Sequence, residues 1–84
     1  MQKYGYHLAK IPKGKIGQIS KIIEECYEAQ DASDQGNKIL ELCELADIYL
    51  SIKKRLETAH PNITMEDIKN MAESTERAFK NGDR

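Results

Sequence analysis

Between Asn37 and Ala59, the residues Ile39, Leu42, Cys43, Leu45, Ala46, Tyr49, Leu50, Ile52 and Leu56 recur at helical spacing. They cover more than half of a helix circumference. A helix that apolar must contact neighbours on several sides, and this demand limits the chain to a bundle in which the segment is central. Its remaining narrow face holds Glu44, Asp47, Ser51 and Lys54, so two carboxylates and a lysine share one polar stripe on an apolar rod.

Two further segments supply neighbours. From about Lys15 to Asp31, Ile16, Ile19, Ile22, Ile23, Cys26 and Ala29 keep a helical period. Asp34-Gln35-Gly36-Asn37 is the turn that follows. His60-Pro61-Asn62 ends the central helix, because proline disfavours helical geometry in the residue before it. Thr64 and Asp67 then have the spacing of a capping box, Ile68, Met71, Ala72, Thr75 and Phe79 form an apolar stripe, and Asn81-Gly82 stops the helix. Residues 1–13 show no period and read as an extended arm. The expectation is one all-α domain over residues 1–84, an antiparallel bundle of about three helices.

At 84 residues the chain buries only about 60–65% of its unfolded surface. The central helix is apolar around more of its surface than two partners in such a chain can cover. A homo-oligomer, dimer or tetramer, is therefore expected to complete the core. Charged residues make up 32% of the chain, but the net charge is −1, so no basic field recruits nucleic acid or an anionic membrane. One Phe, four Tyr and no Trp leave little for stacking on single strands. No apolar run has the length of a membrane span, and Met-Gln-Lys-Tyr-Gly-Tyr-His lacks the apolar centre of a signal peptide. A cytoplasmic protein is expected, with Cys26 and Cys43 reduced and buried. Cys-x-x-Cys pairs for zinc are missing.

The acidic residues carry the functional signal. Glu24, Glu25 and Glu28 precede, by fifteen intervening residues, the pair Glu44 and Asp47. Like charges three or four apart on a helix repel, at roughly 3 kcal/mol per pair for ~5–6 Å and an effective dielectric near 20. Each set borders an apolar stripe, so packing the two helices brings the sets face to face. Buried charge of this kind is stabilised by pairing or by a metal, and oxygen-only ligands suit Mg²⁺ or Mn²⁺. On the helical wheel Glu25 and Glu28 take the inner positions and Glu24 points further towards solvent. Lys54, about two turns beyond Asp47, is within reach of a phosphate from the same wall, the alternative being a surface lysine that snorkels to solvent. Lys38, Lys53 and Arg55 read as solvated charge, and Tyr4, Tyr6 and His7 as arm residues that pack, with base stacking as the alternative.

The pattern E-E-x-x-E followed by E-x-x-D, with Glu44-Leu45-Ala46-Asp47-Ile48 inside it, resembles the signature of the MazG-like all-α nucleoside triphosphate pyrophosphohydrolases. The resemblance covers Lys15 to about Leu56 closely. It extends more weakly over 75–84, where Ser74 stands at a position commonly occupied by lysine. It implies Mg²⁺-dependent hydrolysis of a nucleoside triphosphate between the α and β phosphates, giving a monophosphate and pyrophosphate. Glu25, Glu28, Glu44 and Asp47 would hold the metal, and Glu24 would bind a further ion or orient the attacking water. Arg77, Lys80 and Arg84 are similar in position to phosphate-contacting residues of the family, the alternative being helix-end cations favourable to the dipole. The alternative is a catalytically weak helical module that binds nucleotide or acts in regulation or assembly.

Overall fold

In a computed structural model of the chain, residues 5–82 are described, and three α-helices follow one another: α1 Ile19–Asp34, α2 Lys38–Ala59 and α3 Met65–Lys80. No β-strand occurs among the described residues, as the sequence pattern predicts. Tyr4 and Arg84 lie outside the described residues.

The first helix starts four residues later than its apolar period suggests. Gly17 has φ +88°, a left-handed conformation no helical residue adopts, so regular structure begins only after Gln18. At its other end α1 runs on to Asp34 and closes in a Schellman turn, where Gly36 N–H donates to Ser33 O at 2.9 Å and Asn37 N–H to Ala32 O at 3.1 Å. Gly36, at φ +70°, supplies the left-handed residue this turn needs. Asn37 then caps α2 by accepting the Leu40 N–H at 3.0 Å. One short loop thus ends one helix and starts the next, and α2 returns antiparallel along α1: Arg55 Nη1 near its far end donates to Gly17 O at 3.2 Å. Arg55 is therefore half-buried and paired, not solvated charge. The third helix opens on the expected capping box, Asp67 N–H to Thr64 Oγ1 at 3.1 Å and Thr64 N–H to Asp67 Oδ2 at 2.9 Å.

Burial is inverted relative to an ordinary domain. Among the described residues the only buried apolar ones are Ala32 and Leu56, whereas the polar residues Glu24, Glu25, Asp31, Glu44 and Ser51 are buried. Ile19, Ile23 and Tyr27 on α1, and Ile39, Leu42, Leu45, Tyr49 and Leu50 on α2, are exposed. Cys26 and Cys43 are free and exposed in the chain, against the expectation of burial, because they lie on these same open apolar faces. The third helix has no buried residue, and its Met71 is 63% exposed. The radius of gyration is 15.2 Å, against about 12 Å for a compact chain of this length. The accessible surface of 6458 Å² likewise exceeds the roughly 5,100 Å² of a compact monomer of this mass. Among the described residues, no helix is long and apolar enough to cross a membrane.

Candidate metal centre

The facing walls of α1 and α2 carry the acids. Glu25, Glu28, Glu44 and Asp47 each offer a carboxylate oxygen, and the four oxygens lie within 4.8 Å of one another. The helical hairpin accounts for this: Glu25 and Glu28 are one turn apart on α1, Glu44 and Asp47 one turn apart on α2, and the antiparallel return aligns the pairs. Glu25 and Glu44 are 4% and 6% exposed, Glu28 is half-buried, and Asp47 opens to solvent. One oxygen each of Glu25 and Glu44, the Oε2 atoms, is buried without a hydrogen-bond partner. An unpaired buried polar atom costs about 1–3 kcal/mol, and more when charged. The donor set and its two unpaired oxygens fit a hard divalent cation.

Protonation shows the same strain. Burial, then hydrogen bonding and repulsion from Glu25 and Glu44, raise the Glu28 pKa from 4.5 to about 8. Burial raises Glu44 as well, with the Asp47 charge adding to it and Glu28 and His7 opposing. At neutral pH, and without an ion, a shared proton relieves the repulsion among these carboxylates.

Glu24 departs from its expected place. It is 3% exposed, the least exposed of the five acids, and it stands outside the group of four converging carboxylates. Gly14 N–H donates to its Oε1 at 2.7 Å, and Lys21 and Lys13 reach its Oε2 at 3.2 and 3.8 Å. The segment before α1 folds over the helix start and covers a wheel position that an isolated helix leaves open. Burial pushes the Glu24 pKa up, but the Gly14 amide and Lys21 outweigh it and hold the carboxyl low. Gly14 has no room for a side chain there, since a Cβ would collide with the Ser20 carbonyl.

Two groups near the cluster escaped the sequence reading. Lys21 bridges Glu24 and Glu25, with Nζ 3.0 Å from Glu25 Oε1. Its spacing of three and four residues from the two acids was the available signal. Its ammonium is stabilised first by Glu25, against a burial penalty, and next by Glu24. Asp31 is the second. Its carboxylate accepts Leu8 N–H at 3.0 Å, Ala9 N–H at 3.2 Å and the Gln35 amide at 2.7 Å. Burial opposes ionisation of Asp31, but these donors and His7 outweigh it and lower its pKa. The arm is thereby laid along α1, with the His7 ring against Glu28, Asp31 and Glu44.

The expected phosphate residues divide. Lys54 lines a cavity of about 250 Å³ together with Lys21, Glu25, Asp47 and Ser51, although its Nζ also lies 3.4 Å from Glu57. Arg77 and Lys80 are exposed on α3 and line none of this cavity, and Lys80 pairs with Glu76 at 3.0 Å. The third helix makes no extensive contact with α1 or α2, so within one chain it brings neither residue to the acids. Compared with known proteins, the chain matches no protein-family model, no curated protein and no solved structure.

Proposed function

We propose that the protein is a divalent-cation-dependent nucleoside triphosphate pyrophosphohydrolase of the MazG-like kind, releasing monophosphate and pyrophosphate. The observation that carries this reading is the convergence of four carboxylates, two with unpaired buried oxygens, beside a cavity walled by two lysines. Glu25, Glu28, Glu44 and Asp47 would hold Mg²⁺, with Mn²⁺ as a substitute. When bound, the cation supplies charge neutralisation and alignment for the triphosphate. Lys54 and Lys21, on opposite walls, are placed to take phosphate oxygens. A carboxylate beside the attacking water would accept its proton as the water oxygen bonds to Pα, the Pα–O–Pβ bridge breaks and pyrophosphate leaves. Glu24 enters this scheme one step back: its oxygens are committed to Gly14, Lys21 and Lys13, so it positions Lys21 and the segment before α1.

The site is proposed to work in a homo-oligomer. The chain exposes roughly 1,300 Å² more surface than a compact monomer of its mass, and a stable interface takes about 800 Å² from each partner. The exposed faces of α1 and α2 have the aliphatic and tyrosine content of such an interface. In that assembly a neighbouring copy is the available source for Arg77 and Lys80 near the triphosphate. The alternative, a weakly catalytic nucleotide-binding module, is favoured by the commitment of Glu24 to structural partners.

A panel of nucleoside and deoxynucleoside triphosphates, incubated with Mg²⁺ or with EDTA, tests the reading. Equimolar pyrophosphate and monophosphate in Mg²⁺ alone is expected. Nucleotide binding without any product would favour the alternative.

A further inference from the structure

We propose that His7 is a metal ligand, joining Glu28 and Glu44 in a mixed nitrogen–oxygen position beside the all-oxygen one. This inference deepens the reading of the acidic cluster as a metal centre and rests on it. The His7 Nε2 lies 3.7 Å from Glu44 Oε1 and 4.0 Å from Glu28 Oε1, and the three groups can present ligand atoms within 4.8 Å of one another. Ligand atoms about 2.1 Å from a common tetrahedral ion stand about 3.4 Å apart. The two contacts of His7, at 3.7 and 4.0 Å, thus need to shorten by about 0.3 and 0.6 Å. Glu44 is 6% exposed, and its Oε2 is buried without a hydrogen-bond partner.

The surroundings of His7 favour ligation over simple ion pairing. Its Nδ1 is 3.4 Å from Asp31 Oδ1, on the ring edge opposite Nε2. Nδ1 is buried without a hydrogen bond at this distance; a small rotation of the ring on ion binding would bring it onto Asp31, the usual means of fixing a ligating imidazole with its Nε2 lone pair free. The backbone on both sides of His7 is also fastened: Gln35 Nε2 donates to Tyr6 O at 2.7 Å, and Leu8 and Ala9 donate to Asp31. The backbone around the ring is thus held by two residues, Asp31 of α1 and Gln35 just after it. Imidazole nitrogen shifts preference away from Mg²⁺ towards borderline ions such as Co²⁺ and Zn²⁺. The second position therefore takes a transition ion, while the all-oxygen position takes Mg²⁺.

The test uses the untagged full chain with ¹⁵N-labelled histidine, titrated with Zn²⁺ and followed through the imidazole nitrogens. The chain has only two histidines, so His60 serves as the internal reference. Ligation is expected to move the His7 Nε2 resonance strongly, to leave Nδ1 protonated, and to leave His60 unchanged. In His7→Gln, Zn²⁺ affinity should fall by about tenfold or more, with Mg²⁺ affinity retained. Release of His7 by Zn²⁺, seen as both nitrogens taking values like those of His60, would show a displaced counter-ion and overturn the proposal while leaving the acidic metal centre intact. An equal loss of Mg²⁺ and Zn²⁺ affinity in the variant would also overturn it. Binding of none of Mg²⁺, Mn²⁺ or Zn²⁺ would remove the metal centre itself.

Discussion

Replacing Glu28 with glutamine should stabilise the metal-free protein at alkaline pH and destabilise the metal-loaded one. The folded Glu28 carboxyl titrates near 8, against 4.5 for an unconstrained glutamate, so between those values the folded state holds a proton the unfolded state has lost. Stability then falls as pH rises from about 4.5 to 8 and levels off above that. At ~1.4 kcal/mol per pH unit the full interval corresponds to roughly 5 kcal/mol. Glu28 and Glu44 share the site and titrate together, so the usable part is roughly 2–4 kcal/mol. That is a large share of the ~4–13 kcal/mol expected for a domain of this length. Glutamine mimics the protonated acid at every pH, so Glu28→Gln should lose this slope. In EDTA at pH 8 the variant should melt at least about 8 °C above wild type, at ~4–8 °C per kcal/mol. In Mg²⁺ the order should reverse, because the ion takes the place of the proton in wild type and finds one ligand fewer in the variant. Calorimetric melts at fixed protein concentration, from pH 5 to 8.5 with EDTA or Mg²⁺, would show the crossover. A wild-type melting temperature that is flat across this range in EDTA, or a variant with the wild-type slope, would refute the shared-proton argument.

Asp47→Asn should abolish pyrophosphate release at saturating Mg²⁺ with the helical circular dichroism unchanged, since this ligand is exposed and its amide keeps its size. Gly14→Ala should cost about 1–3 kcal/mol in urea melts by driving a Cβ against the Ser20 carbonyl and loosening the hydrogen bond to Glu24. Acid should destabilise the protein separately: the Glu24 and Asp31 carboxyls are held low, so their contribution is complete above their ordinary values near 4.5 and 3.8 and is lost as pH falls below them. Urea midpoints between pH 2.5 and 5 should show that fall, and Asp31→Asn should lessen it. Leu42→Arg, on the open face of α2, should shift the species seen by light scattering towards the monomer and lower the melting temperature.

The sequence made the hairpin legible because its signals are local. Gly36 and Asn37 mark the turn, Thr64 and Asp67 the third helix start, and the three-residue spacing of each acid pair is enough to put Glu25, Glu28, Glu44 and Asp47 on facing walls. What it hid depends on segments distant in sequence. Glu24 looks solvent-facing on a wheel until the segment around Gly14 folds over it. His7 and Asp31 are far apart in an aperiodic arm and a helix, so no period links them. Cys26 and Cys43 read as core because a helical stripe does not reveal whether its covering surface comes from the same chain.

The way Asp31 and Gln35 grip residues 6–9 bears on the order in which the molecule assembles. The helical hairpin can pair outward from its short loop, ending at Arg55 and Gly17, 38 positions apart, whereas docking the arm closes 22–29 positions in a single step. Closing a loop of that length costs about 3 kcal/mol in chain entropy. Hydrogen bonds to a carboxylate return about 1.5–3 kcal/mol each, which leaves the docked arm only a few kcal/mol below its open form. The arm is thus expected to open as a unit of its own while α1 and α2 stay folded. The amide protons of Leu8 and Ala9 should exchange with solvent faster than those in the middle of α1, and each such opening carries His7 out of the acidic pocket without unfolding a helix.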